Sequence, residues 1–158
     1  MQRPSRFRAK GLGEIPLEGS LPATLTVPGA VASWTEAHSR YGRLTLARCL
    51  EDAIGYARDG APVTGRLHNF LEMHKAELAA CPHAAHIFLA GGDVPKTGAK
   101  IVNRNLARSL GAIARDGWSG FYAGDVAREL SRYSAGVGGF FREADLAAQT
   151  AHWADPIS

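Results

Sequence analysis

Glycine and proline cut this chain into short, amphipathic pieces, and that punctuation limits the folds open to it. Gly42, Gly60 with Pro62, Pro82, Gly91 with Gly92, Gly98, Gly117 and Gly138 with Gly139 separate stretches of helical periodicity. Glycine ends helices by adopting left-handed backbone conformations, and proline cannot continue them. No stretch reaches the ~18 consecutive apolar residues of a membrane span.

Val31, Trp34, His38 and Tyr41 recur at three and four residues and share one helical face. Thr45 is placed to cap a second helix with the stripe Leu46, Cys49, Leu50, Ala53, Ile54 and Ala57, closed by Gly60. Cys49 reads there as a small core residue. Thr64 can cap a third helix, with Leu67, Phe70, Leu71, His74 and Leu78 inward until Pro82. Asn103 or Asn105 opens a helix through Leu106, Leu110, Ile113 and Ala114 that closes at Gly117. Another begins near Asp125, with Val126, Leu130 and Tyr133 inward, and a short one covers 144–149. Residues 11–28 lack a helical period, and the alternation around Leu25 and Val27 suits a short strand. The reading is mainly α: five or six helices with at most a strand or two.

The chain is 158 residues long, one domain or part of one. Its 18 glycines and long connections favour a helical layer cut from a larger α/β protein over a self-contained bundle. Hydrophobic residues make up 46% and charged residues 21%, a globular composition. Arg3, Arg6, Arg8 and Lys10 make residues 1–10 basic, but later basic residues alternate with acids and the net charge is only +3. Nucleic-acid binding calls for a single-sign patch, so no nucleic-acid partner is expected. The first ten residues lack the apolar stretch of a secretory signal, which as written leaves the chain in the cytoplasm unless a segment precedes them.

The candidate chemistry is thin. Cys81, His83 and His86 in CPHAAH are zinc-ligand types, but they fall short of the four ligands of a structural site, and His74 is the nearest further histidine. Gly91, Gly92 and Asp93 are not followed at once by a helix, as a phosphate cradle requires, and read as a turn. Adjacent Glu51 and Asp52 point about 100° apart on a helix and make no acid/base pair. Asp59 falls in a last helical turn, so all three read as solvated surface. His38 with Ser39, and His152, show no local triad pattern, and no GxSxG elbow occurs. No catalytic, cofactor-binding or metal-binding residue is assigned.

A series of segments carries more information. TVPGAVASW (26–34) is followed by EAHSRYGRLTLARCLEDAIGYARDGAPV (36–63), IFLAGGDVPKTG (87–98), NLARSLGAIARDGWSGFYAG (105–124) and VGGFFREADLAA (137–148). In this order they resemble the γ-glutamyltransferase family, which reads VPGxVxGW, YG before a helix, a glycine before PV, FLxxG with a later PxxG, NLAxTLxxIAxxGxxxFYxG and GGxxTxxDLA. The resemblance runs from about Gly11 onward and points to the middle of the large subunit.

It implies an N-terminal-nucleophile hydrolase with an αββα sandwich, made as one precursor that cleaves itself into a large and a small subunit. The threonine so exposed attacks a γ-glutamyl amide of a glutathione-type substrate, and the acyl group passes to water or an amino acid. In that family the nucleophile belongs to the small subunit, downstream of the segment matching Ser158. The arginine that grips the substrate carboxylate lies upstream of the segment matching Gly11. Arg3 with Pro4 is not its equivalent, because RFRAKG aligns better with the following helix. The expectation is a single incomplete domain, inactive alone, without cofactors. Its partners would be the rest of the large subunit and the small subunit, or itself through exposed apolar faces. The other possibility is a small helical interaction protein or relic. Ser33, Ala61, Ala90 and Arg142 depart from the family pattern, Arg142 by removing a threonine helix cap. Trp34, Phe88, Phe121, Tyr122 and Phe140 are expected to pack rather than bind ligand.

Overall fold

A computed structural model describes residue 11 and residues 26–155. The basic segment 1–10, most of the glycine- and proline-rich stretch and Leu25 of the expected strand lie outside the described residues; Thr26 and Val27 belong to no strand. The order is α1 (Ala30–Tyr41), α2 (Leu46–Asp59), β1 (Ala61–Pro62), α3 (Gly65–Met73), α4 (Lys75–Ala80), α5 (Pro82–Phe88), β2 (Lys100–Ile101), α6 (Arg104–Asp116), α7 (Trp118–Tyr122), α8 (Asp125–Gly136) and α9 (Glu143–Ala147). The chain is mainly helical, as its periodicity requires. The expected third helix, running until Pro82, is two pieces, α3 and α4, because the backbone leaves helical geometry at His74; the break at Pro82 is present, and the separate short helix α5 starts there.

Local chemistry accounts for most boundaries. Thr45 Oγ1 accepts the Arg48 amide and Thr64 Oγ1 the Leu67 amide, so both threonines cap as expected. Asn103 Oδ1 accepts the Leu106 amide at the start of α6. Gly60 ends α2 at φ 99°, and a Cβ there would lie 2.8 Å from Lys100 Cβ. Arg142, lacking an acceptor, does not cap α9 through its side chain; Asp145 Oδ2 accepts the Arg142 amide instead.

The chain forms two compact units, Leu44–Ala114 and Met1–Arg43 with Arg115–Ser158. In the first, Leu71, Leu89 and Val94 are buried, with Leu67, Leu78, Ala85, Phe88 and Ile101 packed against them. The two strands pair antiparallel, Ala61 with Ile101 and Pro62 with Lys100. Beyond them the Val63 carbonyl accepts the Gly98 amide, and the Val63 amide donates to the Ala99 carbonyl. The Asn103 amide donates to the Ala57 carbonyl at 2.8 Å, tying the end of α2 to the start of α6. Segment 64–98 is thus an excursion that leaves and returns at one place.

In the second unit, α1, α8 and α9 each pack against α7, and α8 also packs against α9. Tyr122, Leu146, Ala127 and Ser134 are buried at its centre. Gly139 passes so close to Ser134 that any side chain would strike it.

The faces that periodicity groups together are not all covered. Helix α2 buries only Ala57; Leu46, Leu50 and Ile54 are half-buried, and Cys49 is exposed, not in a core. Trp34 is 48% exposed and Tyr41 64%, so the stripe of α1 is largely open, contrary to the packing role expected of Trp34. Phe70 and Tyr133 also face outward; α8 buries Ala127 and Ser134 instead. Tyr122 is buried, and Phe88, Phe121 and Phe140 are half-buried.

Candidate functional site

The motif segments become anchors for loops and helix ends. Gly29, the N-cap of α1, has no side chain to satisfy the first amides of that helix. The Tyr122 hydroxyl, from α7, does so: it accepts the Ala32 amide at 3.1 Å and donates to the Pro28 carbonyl at 2.7 Å. The VPG and FYAG segments therefore meet through one phenol. Trp118 Nε1 donates to the Gln149 carbonyl at 2.9 Å, joining α7 to the segment after α9. Trp153 Nε1 donates to Glu36 Oε1, and its ring lies under the Arg40 guanidinium at 4.6 Å and edge-on to Tyr41.

The GGD segment is a turn. Gly91 and Gly92 have φ of 65° and 92°, where side chains are disfavoured. Asp93 Oδ1 accepts the Val94 amide and pairs with Lys75 Nζ at 2.6 Å. The Lys75 hydrogen bond, then the Val94 amide, then the Lys75 charge hold the Asp93 carboxyl below its usual range. His68 Nδ1 lies 3.1 Å from the Pro95 carbonyl oxygen, so that nitrogen carries the proton. These contacts pin 89–98 to α3 and α4 and leave no amide cradle ahead of a helix.

The other residues singled out stay apart. His83 and His86 lie exposed on α5, whose first residue follows Cys81, and among the described residues no three histidine, cysteine or acidic side chains come together as a metal site. Glu51 pairs with Arg48, and Asp59 with Arg58 at 2.7 Å, all on the surface. The Arg58 hydrogen bond holds the Asp59 carboxyl low. His152 Nε2 and Thr150 Oγ1 are 3.2 Å apart in an exposed local contact.

The sequence reading passed over a groove between α2 and α6. Ala47, Arg48, Glu51, Ile54, Arg58 and Ala114 line one depression of about 500 Å³. Ile54 and Arg58, with Arg104, Asn105, Ala107 and Arg108, line a second of similar size. The floor is aliphatic and the rim rich in arginine. The i,i+4 spacing of Arg104 and Arg108 is visible in the sequence, but their convergence with Arg58 needs the strand pairing.

A profile of the family described as Gamma-glutamyltranspeptidase matches residues 3–158. The glutathione hydrolase-like YwrD proenzyme of Bacillus subtilis is 39% identical over 149 residues, 94% of this chain and 28% of that protein. Among solved structures, cephalosporin acylase from Bacillus halodurans superposes with a TM-score of 0.85 at 32% identity, covering 97% of this chain and 30% of that one. Helicobacter pylori gamma-glutamyltranspeptidase gives 0.84 at 26% identity, covering 92% and 42%. The chain spans less than a third of the length of the Bacillus subtilis relative. Its helices are a helical part of the N-terminal-nucleophile hydrolase fold of these enzymes.

Proposed function

The chain belongs to the γ-glutamyltranspeptidase family, and from that premise we propose that it is the helical middle of the large subunit of an amide-cleaving enzyme. In this reading the reaction is acyl transfer from a γ-glutamyl amide of the glutathione type to water or an amino acid. The nucleophile is an N-terminal threonine whose own α-amine acts as base, and backbone amides stabilise the oxyanion. Threonine and carboxylate-gripping arginine both belong to parts of the enzyme outside these residues. The present residues support the centre without touching the reacting atoms.

The observation that carries the proposal is the use made of the motif residues. Tyr122, Trp118, Asp93, Thr45 and Gly60 fix loops and helix ends. None of them converges with a second titratable group in a buried pocket. The half-covered stripe of α2 fits a layer with a further surface to meet.

A chromogenic γ-glutamyl anilide tests the reading. The purified chain is expected to give no turnover above background. Co-expression with the remaining parts of a family enzyme is expected to give a complex, and turnover with it. Turnover by the chain alone, abolished by a substitution within it, defeats the proposal. Failure to assemble with any such remainder favours the interaction-protein alternative.

A further inference from the structure

The groove between α2 and α6 has an electrostatic character that α2's open apolar face alone does not explain. Its lining includes Arg48, Arg58, Arg104 and Arg108 against a single acid, Glu51. Glu51 neutralises Arg48, and Asp59, just outside, neutralises Arg58. Four positive charges against these two negative ones leave a net +2 on the rim. Among the described residues Arg104 and Arg108 enter no ion pair with a carboxylate; the Arg108 guanidinium donates to the neutral Asn105 side chain. Arg104 stands in the first turn of α6, where the helix dipole adds positive potential, and Arg108 follows one turn further in. Below them Ile54, Ala47, Ala107 and Ala114 form the aliphatic floor.

The geometry points to a docking site for a polypeptide segment that is both acidic and apolar, its aliphatic side chains on the Ile54 floor and its carboxylates on Arg104 and Arg108. We assign that segment to the rest of the same enzyme. The B. subtilis relative carries about 72% of its length outside the matched part (100 less the 28% covered), so a large complement exists to supply it. Guanidinium forks suit paired carboxylates, and charge complementarity would fix the register of a floor that aliphatic contacts alone leave slippery. The proposal rests on the reading that the chain is one part of a larger enzyme.

The probe is a synthetic helical peptide with leucine at alternating three- and four-residue spacing and glutamate between. Its controls are the same peptide with lysine for glutamate, and plain polyglutamate. Titration calorimetry against the 158-residue chain is expected to show binding of the acidic peptide that weakens with salt. Arg104→Glu/Arg108→Glu should weaken it about tenfold or more, as loss of close charge pairs does, whereas Lys96→Glu, outside the groove, should not. Glutamate at 104, in the first turn of α6, suits the helix dipole and 108 is exposed, so the variant is expected to keep its fold, which circular dichroism checks. Equal binding of the lysine peptide or of polyglutamate, or no binding, overturns the proposal. In co-expression, a remainder that assembles equally well with wild type and with Arg104→Glu/Arg108→Glu overturns the groove assignment alone. A remainder that fails to assemble with wild type overturns the larger reading.

Discussion

Replacing Tyr122 by phenylalanine deletes one oxygen atom and should loosen a whole unit. The ring stays, with its burial at 1% exposure, so the change isolates the hydroxyl. Two partners lose it: the Ala32 amide, in the first turn of α1, and the Pro28 carbonyl. Leaving a buried polar group unsatisfied costs about 1–3 kcal/mol. Loss of a helix N-cap costs about 0.5–2 kcal/mol. These describe one site from two sides, so the expected loss is about 2 kcal/mol. All three tryptophans, Trp34, Trp118 and Trp153, lie in the unit that contains Tyr122, and none lies in Leu44–Ala114. Tryptophan fluorescence, excited selectively so that Tyr56 of the other unit does not contribute, therefore reports that unit. With a urea slope of about 1–2 kcal/mol per molar, the fluorescence midpoint should fall by about 1–2 M. Tyr41→Phe is the control, because that residue is 64% exposed; it should shift stability by less than about 0.5 kcal/mol. If both variants unfold at the wild-type midpoint, Tyr122 does not cap α1 in solution and the linkage of the VPG and FYAG segments fails.

Four further outcomes are expected. The half-covered stripe of α2 should bind a hydrophobic dye, and co-expressed complement should suppress it; a chain with no dye binding and one sharp thermal transition would show that the helices close on themselves. Asp93→Asn should loosen residues 89–98 in hydrogen exchange. Because folding lowers the Asp93 pKa, its contribution is present above the unfolded value of about 3.9 and lost as pH falls through the lower folded value, so the difference between variant and wild type should shrink as pH falls through that range. Gly139→Ala places a methyl against Ser134 Oγ and 2.8 Å from its carbonyl oxygen, and should cost about 1–3 kcal/mol by overpacking; a neutral result would mean that this turn yields freely. Elemental analysis should find no stoichiometric zinc; one zinc per chain, lost in His83→Ala/His86→Ala, would reverse that.

What the sequence disclosed was chiefly local. Thr45, Thr64 and Gly60 act within one turn of themselves, and capping chemistry at that range is written in the residues. Tyr122 caps a helix ninety residues away, and no periodicity marks it. Periodicity also states which side chains share a face without stating whether anything covers that face. That is why Cys49 and Trp34 read as core and stand in the open, and why Tyr133 lies outside the face that Ala127 and Ser134 bury. The two-residue strands β1 and β2 are too short for an alternating pattern; they exist because Gly60 turns the chain at φ 99° toward Lys100. The family resemblance was legible because it rests on the order of many weak motifs, even where, as with the VPG and FYAG segments, the contact that joins them is long-range.

The closed base of the 64–98 excursion bears on how such enzymes diverge. Its two ends are stitched by Val63, Gly98 and Ala99, while the Asn103 amide holds α6 to α2 without help from anything between. A loop anchored at its neck can lengthen cheaply, since doubling its span costs only about 0.6 kcal/mol in closure entropy. Insertions should therefore be tolerated best at the breaks between α3, α4 and α5, outside the 87–98 segment and clear of the buried Leu71, Leu89 and Val94, and this appendage is where one scaffold could acquire new neighbours in different lineages while α2 and α6 keep their alignment.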